Sequence, residues 1–166
     1  MATILGKKLM LFVKEGNVYK TLAYATNHTF TTSASTVSIA SKDDYDVAEG
    51  GKWDSQELDM FSWSITSENL YNYDGNGMTS DDVMNMYLNG KEVEVKFGLA
   101  ETATANEPDK NNFTTTGWKD SATQKFCHGK AYITSLDINA SNDGRATMSI
   151  TLTGKGAITY GVTQNM

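Results

Sequence analysis

The chain is poor in the residues that most often mark chemistry. One cysteine, Cys127, stands among 166 residues, which excludes an internal disulfide and a cysteine metal cluster. The two histidines occur in unrelated contexts, His28 in TNHTF and His128 in FCHGK. Cys127 and His128 are neighbours, so on a strand they point to opposite faces and cannot share a metal. We read both histidines as strand-end residues without a special role and Cys127 as a small buried side chain. Basic residues are outnumbered, 14 Lys and Arg against 20 Asp and Glu, for a net charge of -6 and a pI near 4.8. A surface that grips nucleic acid by its phosphates needs the opposite balance. No apolar run approaches membrane-spanning length. The opening run, Leu9 to Val13, is too short for a signal-peptide core and is followed by Lys14. We therefore expect no membrane partner and synthesis in a reducing cytoplasm.

A single proline, Pro108, accompanies 14 glycines, and the glycines fall mainly where turns and strand ends should lie. That pairing suits a β-rich chain whose turns need positive φ. KLMLFVKEGNVYKTLAYAT reads as two strands about Glu15-Gly16-Asn17. NHTFTTSASTVSIAS continues in residues that fit a pleated surface. ELDMFSWSITSENLY alternates Phe61, Trp63 and Ile65 with serines, which predicts a strand with Trp63 in the core. MTSDDVMNMYLNGKE carries the one helix signal: Thr79 or Ser80 as cap, Asp81 and Asp82 in the first turn, Val83, Met86 and Tyr87 on one face, and Gly90 as stop. KEVEVKFGL returns to strand. We expect a single domain over residues 1–166, mainly β: an antiparallel β-sandwich or partly closed barrel with one short α-helix.

Two polar stretches interrupt this pattern, residues 42–56 and 100–124. Loops of that length in a compact domain are usually functional. DDYD at 43–46 and DGNG at 74–77 lack the spaced ligand set of a calcium loop. The first reads as a solvated acidic loop and the second as turn chemistry. Trp53 and Trp118 fall in the two polar stretches, where a large aromatic is an interface anchor. No phosphate loop, nucleotide fingerprint or Ser-His-Asp order occurs, so we expect no enzyme, no cofactor and no metal. A carbohydrate-binding β-sandwich module is the alternative, with the tryptophans stacking on sugar rings.

The closing stretch KAYITSLDINASNDGRATMSITLTGKG is the most regular. Leu136, Ile138, Met148, Ile150 and Leu152 share one parity with Tyr132, and Thr134 is the exception. Placing Ile138 opposite Met148 pairs Leu136 with Ile150 and Ala140 with Ala146. The other face then pairs Ser135 with Thr151, Asp137 with Ser149 and Asn139 with Thr147. A slip by one residue would put the apolar set in water.

Taken in order, GKKLMLFV, TSASTVSIASKDDYD, SWSITSENLY, TSDDVMNMYLNGKEVEVKF and the closing hairpin ending in TLTGKG resemble the major tail proteins, or tail tube proteins, of long-tailed bacteriophages. The resemblance spans about residues 4–158. It implies a virion structural protein, made in the bacterial host cytoplasm and placed in the tail. Its main partner is itself, in stacked homohexameric rings around a channel through which DNA passes only in transit. Initiator, terminator and tape-measure proteins would be further partners. It also implies that hairpins of neighbouring subunits join to line the channel and that a long loop reaches an adjacent ring. On that basis Asp43, Asp44, Tyr45, Asp46, Trp53 and Trp118 are candidate subunit or ring contacts. Ser135, Asp137, Asn139, Thr147, Ser149 and Thr151 are candidate channel-facing residues. Both the first hairpin, Leu9 to Tyr24, and the last remain candidates for the channel lining. A prophage-derived delivery tube shares the same fold.

Overall fold

In the computed structural model, residues 3–39, 55–100, 102–104, 107–108, 113–121 and 123–162 are described. Glu15-Gly16-Asn17 does turn the chain: Gly16 takes φ 65°, between β1 (Leu9–Glu15) and β2 (Val18–Thr21). Two long strands follow, β3 (Ala25–Ser38) and β4 (Gln56–Leu70), and then α1 (Ser80–Asn89) and β5 (Val93–Leu99). The polar stretch after β5 holds four short strands, β6 (Thr102–Thr104), β7 (Glu107–Pro108), β8 (Phe113–Thr114) and β9 (Gly117–Trp118). The chain closes with β10 (Lys125–Asn139) and β11 (Thr147–Val162).

Seven strands form one sheet in the order β2-β1-β5-β10-β11-β4-β3, and every pairing in it is antiparallel. One face carries the core, where Leu11, Val13, Ile65, Val95, Met148, Ile150 and Leu152 pack with Trp63 and Val83. The sheet rolls around that core. Phe30 of β3 stacks on Phe97 of β5, although three strands lie between them. The result is a partly closed barrel whose edges, β2 and β3, do not pair with each other among the described residues.

Local signals account for α1. The Thr79 side chain accepts from the Asp82 amide at 3.4 Å, the Asp82 carboxylate accepts from the Thr79 amide at 3.1 Å, and Gly90 ends the helix at φ 63°. Val83 is buried and Met86 partly so, but Tyr87 faces solvent. The helix lies at the rim of the core, so only a narrow stripe is covered.

The closing hairpin has the expected register from Leu136–Ile150 to Asn139–Thr147. Beyond it the expectation needs correction. A bulge between Ile133 and Ser135 makes Ile133 the partner of core residue Leu152, and Tyr132 pairs with Thr153 on the polar face. Thr134, the break in the apolar parity, is the extra residue. A second correction concerns residues 113–121. They belong to the subunit's own fold: Thr21 donates its amide to Thr116 O at 3.3 Å, Gly77 to Thr115 O at 3.0 Å, and Ser121 to Leu99 O at 3.1 Å.

Candidate functional site

The sheet face opposite the core is the first candidate surface. On β10 and β11 it carries Ser135, Asp137, Asn139, Thr147, Ser149 and Thr151, paired as expected. Register extends it across β4, where Thr66 lies beside Thr151 and Glu68 beside Ser149. It reaches β3, where Thr29 lies beside Thr66 and Thr31 beside Ser64. The face is thus four strands wide, made of small hydroxyl and amide groups with Asp137 and Glu68 as its charges, and none of these side chains is buried. Beyond the bulge the same face turns basic and aromatic. Lys155 and Lys130 pair with Glu92 at 2.6 and 3.5 Å there.

Further along, β8 and β9 cover this face. Lys96 is buried there, 3.4 Å from Asp120 and 4.0 Å above the Tyr19 ring. Burial and then the Glu94 carboxylate push the Tyr19 phenol up to about 12. Burial pulls the His128 imidazole down, and its Nε2 lies 3.1 Å from the Tyr19 hydroxyl. A buried ammonium persists when it is paired and hydrogen-bonded, so this network reads as the fastening of the 113–121 segment. Trp118 lies in it, half-buried, with its ring 4.8 Å from Phe113 and its amide donating to Thr21 Oγ1 at 3.0 Å.

The second candidate surface is the outer half of the β3–β4 hairpin. A bulge opposite Ser35 places Leu58 and Phe61 on the core side of β4, beyond the point where the core ends. Leu58, Met60 and Phe61 are 60%, 65% and 74% exposed. Phe61 and Met60 border an open groove of about 590 Å³ whose floor is Trp63, Gly154, Gly156, Ala157 and Ile158. The small residues are needed: a Cβ at Gly154 would overlap the Trp63 indole, which donates to Gly156 O at 3.0 Å. Apolar residues at both parities of LDMFSW are the signal in the sequence for this exposed patch.

A third feature lies at the opposite end of the same strands. Tyr24, Leu70, Tyr71, Asn72, Tyr73, Asp74, Arg145 and Ala146 line a cleft of about 600 Å³. Backbone bonds hold its walls: Leu70 donates to Tyr24 O at 3.1 Å and Tyr71 to Ala146 O at 2.8 Å. Tyr24 has φ 53°, alone among the described non-glycine residues in being positive. The hydroxyls of Tyr71 and Tyr73 lie 3.1 Å apart, and that hydrogen bond raises the Tyr71 pKa. Nothing in strand periodicity marks this cluster. Arg145, the chain's only arginine, was the one available signal.

Asp43, Asp44, Tyr45, Asp46 and Trp53 lie outside the described residues. Among the described residues no group of three or more His, Cys, Asp or Glu side chains is arranged to hold a metal. No helix is long and apolar enough to cross a membrane.

No curated protein matches the chain. Solved structures share its fold. The tail of an empty gene transfer agent particle, refined with C6 symmetry, superposes with a TM-score of 0.68 at 20% identity over 96% of this chain and 100% of that one. The virion of a native gene transfer agent particle gives 0.65 at 18% identity, over 96% and 100%. The SPP1 tail tube gives 0.63 at 13% identity, over 96% and 80%. The family model described as phage tail tube protein matches residues 3–160. The chain therefore belongs to the phage tail tube protein family, a structural component of the virion tail.

Proposed function

We propose that six copies of this chain, each a single domain, close into a ring about an axial channel and that rings stack into the tail tube. The C6 symmetry of the similar gene transfer agent tail supports the number six. The observation that carries this reading is the exposed Ser/Thr face running across β10, β11, β4 and β3 to a sheet edge that pairs with no further strand among the described residues. An open edge with an exposed apolar flank invites a second chain. Leu58, Met60 and Phe61 supply that flank, so a neighbouring copy completes the sheet and covers the groove beside them.

Ser135, Asp137, Asn139, Thr147, Ser149 and Thr151 then line the channel. Small neutral groups with scattered carboxylates give DNA phosphates no cation to release counterions against, so the polymer passes without being held. Both hairpins of the four-strand face contribute, whereas β1–β2 lies at the far edge of the sheet. Asp43, Asp44, Tyr45, Asp46 and Trp53 act as contacts between copies. Trp118, half-buried in its own subunit, offers only its exposed edge. Tail initiator, terminator and tape-measure proteins cap and fill the tube. The family match favours this reading over a carbohydrate-binding module.

Electron microscopy of concentrated protein tests it. Rings or hollow tubes are expected, and a monomer at every concentration would overturn the reading. Lysine at Asp137, Ser149 and Thr151 should leave tubes intact and make them retain DNA. Loss of assembly in that variant would mean that the face is a contact and not a lining.

A further inference from the structure

Exposed aromatic rings and unpaired charges converge in the cleft where β3 begins and β4 ends. Tyr24 is 56% and Tyr73 72% exposed, yet both rings are held. Tyr24 takes φ 53°, and its ring lies against Gly75, where an added Cβ would come within 2.9 Å of it. A non-glycine residue in that conformation is local strain of the kind that collects at binding sites. Tyr73 stands edge-on to Tyr71, with centroids 5.3 Å apart, planes at 77° and the two hydroxyls 3.1 Å apart. Asn72, between them in sequence, fastens the chain: its Nδ2 donates to Leu70 O at 2.8 Å and its amide to Ser80 Oγ at 3.1 Å. The rings are therefore set before a ligand arrives, which lowers the ordering cost of binding. The cleft volume of about 600 Å³ falls within the ~300–1,000 Å³ of small-ligand sites.

The charges narrow the ligand class. Arg145 and Asp74 are exposed on the cleft wall, and neither side chain has an ion-pair or hydrogen-bond partner among the described residues. A ligand that suits both must accept from a guanidinium and donate to a carboxylate. An anion meets Asp74, and Asp81 also acts electrostatically on the Tyr71 hydroxyl. A cation meets Arg145. A peptide cannot add as a strand to the walls, whose backbone groups are already joined, Leu70 to Tyr24 and Tyr71 to Ala146. Sugar hydroxyls donate and accept at once, and the C–H faces of a sugar ring lie flat on aromatic rings. We infer that this cleft binds a neutral oligosaccharide, stacked on Tyr24 and Tyr73 and held at its hydroxyls by Arg145 and Asp74. The Asn72–Ser80 bond ties the site to the first turn of α1, whose Val83 packs in the core. The cleft thus belongs to the core side of the sheet and not to its Ser/Thr face. In stacked rings the site would repeat along the tail, turning weak single-site binding into avid attachment to a glycan-coated surface. Binding by the subunit stands without the tube reading, and only the avidity rests on it.

Protein-detected NMR of the dilute full-length chain tests the assignment. The probes are neutral trisaccharides of glucose, galactose, mannose and N-acetylglucosamine, with inorganic phosphate as the anionic comparison. At least one trisaccharide should bind saturably, with a Kd on the order of 1 mM or tighter, and shift the amides of Tyr24, Tyr71 and Tyr73. Tyr73→Ala and Arg145→Ala should each weaken that binding by about tenfold or more. Both positions are exposed, so thermal melts of these variants should match wild type. Tyr160→Ala, at a 67% exposed tyrosine outside the cleft, should leave binding unchanged. Saturable binding by none of the four sugars, tighter binding of phosphate than of any sugar, or binding that survives both cleft substitutions would overturn the site. A protein that binds sugar in this way yet never forms rings would uphold the site and bring down the tube reading alone.

Discussion

Phe30 and Phe97 stack with centroids 5.7 Å apart and planes 11° from parallel, although four strand-to-strand steps separate β3 from β5. In a flat sheet those steps would hold them about 19 Å apart. The contact is therefore a direct record of how far the sheet has rolled, and it bridges the core at its open side. Each ring is half-buried. Replacing either by alanine should cost about 2–4 kcal/mol of subunit stability. A double-mutant cycle by denaturant unfolding should show about 0.5–1.5 kcal/mol of coupling. Strict additivity would mean that the stack does not close the barrel.

Gly154 sets a second constraint. The Trp63 indole lies across the backbone of β11 where a side chain would project. Gly154→Ala should destabilise the subunit by about 1–3 kcal/mol through overpacking. Adding Trp63→Leu to it should cost less than the sum of the two single changes. Thermal melts of the four proteins check this.

The exposed flank separates folding from assembly. Leu58→Ser with Phe61→Ser should leave subunit unfolding within about 0.5 kcal/mol of wild type, since both side chains face water in the isolated chain. Ring formation should shift to clearly higher concentration, read by analytical ultracentrifugation. Unchanged rings would remove these residues from the contact.

His28 gives the subunit a pH dependence. Its Nδ1 lies 2.7 Å from Ser67 Oγ, and burial pulls its pKa down to about 4 from an ordinary 6.5. The unfolded chain takes up the proton first, so stability is full above pH ~6.5 and falls as pH drops toward ~4. For a half-buried ring the loss should be on the order of 1–2 kcal/mol after solvent screening. Unfolding midpoints of wild type and His28→Gln between pH 7 and 4 should diverge by that amount. The sequence placed this histidine at a strand end; its burial comes from the pairing of β3 with β4 and depends on tertiary structure.

The helix cap is the simplest case. Thr79→Ala removes the acceptor for the Asp82 amide and should cost about 1 kcal/mol, with far-ultraviolet dichroism otherwise unchanged.

Much of this architecture was legible before any coordinates. The Gly16 turn, the Thr79 cap, the Gly90 stop and the register from Leu136–Ile150 to Asn139–Thr147 are local matters. They follow from one residue's φ, one side chain's reach to a nearby amide, or a two-residue period that must keep apolar groups from water. The polar face on β10 and β11 was readable for the same reason. Its extension over β4 and β3 was not, because strand order joins segments about 80 residues apart and no period records it. Tyr132 moved to that face because a bulge at Thr134 shifts parity, and a bulge costs too little to leave more than one odd residue as its trace. The roll of the sheet, the Phe30–Phe97 stack and the cleft around Arg145 belong to tertiary structure alone. Each brings together side chains from distant elements, and burial energy depends on the area they cover together rather than on where they stand in the chain.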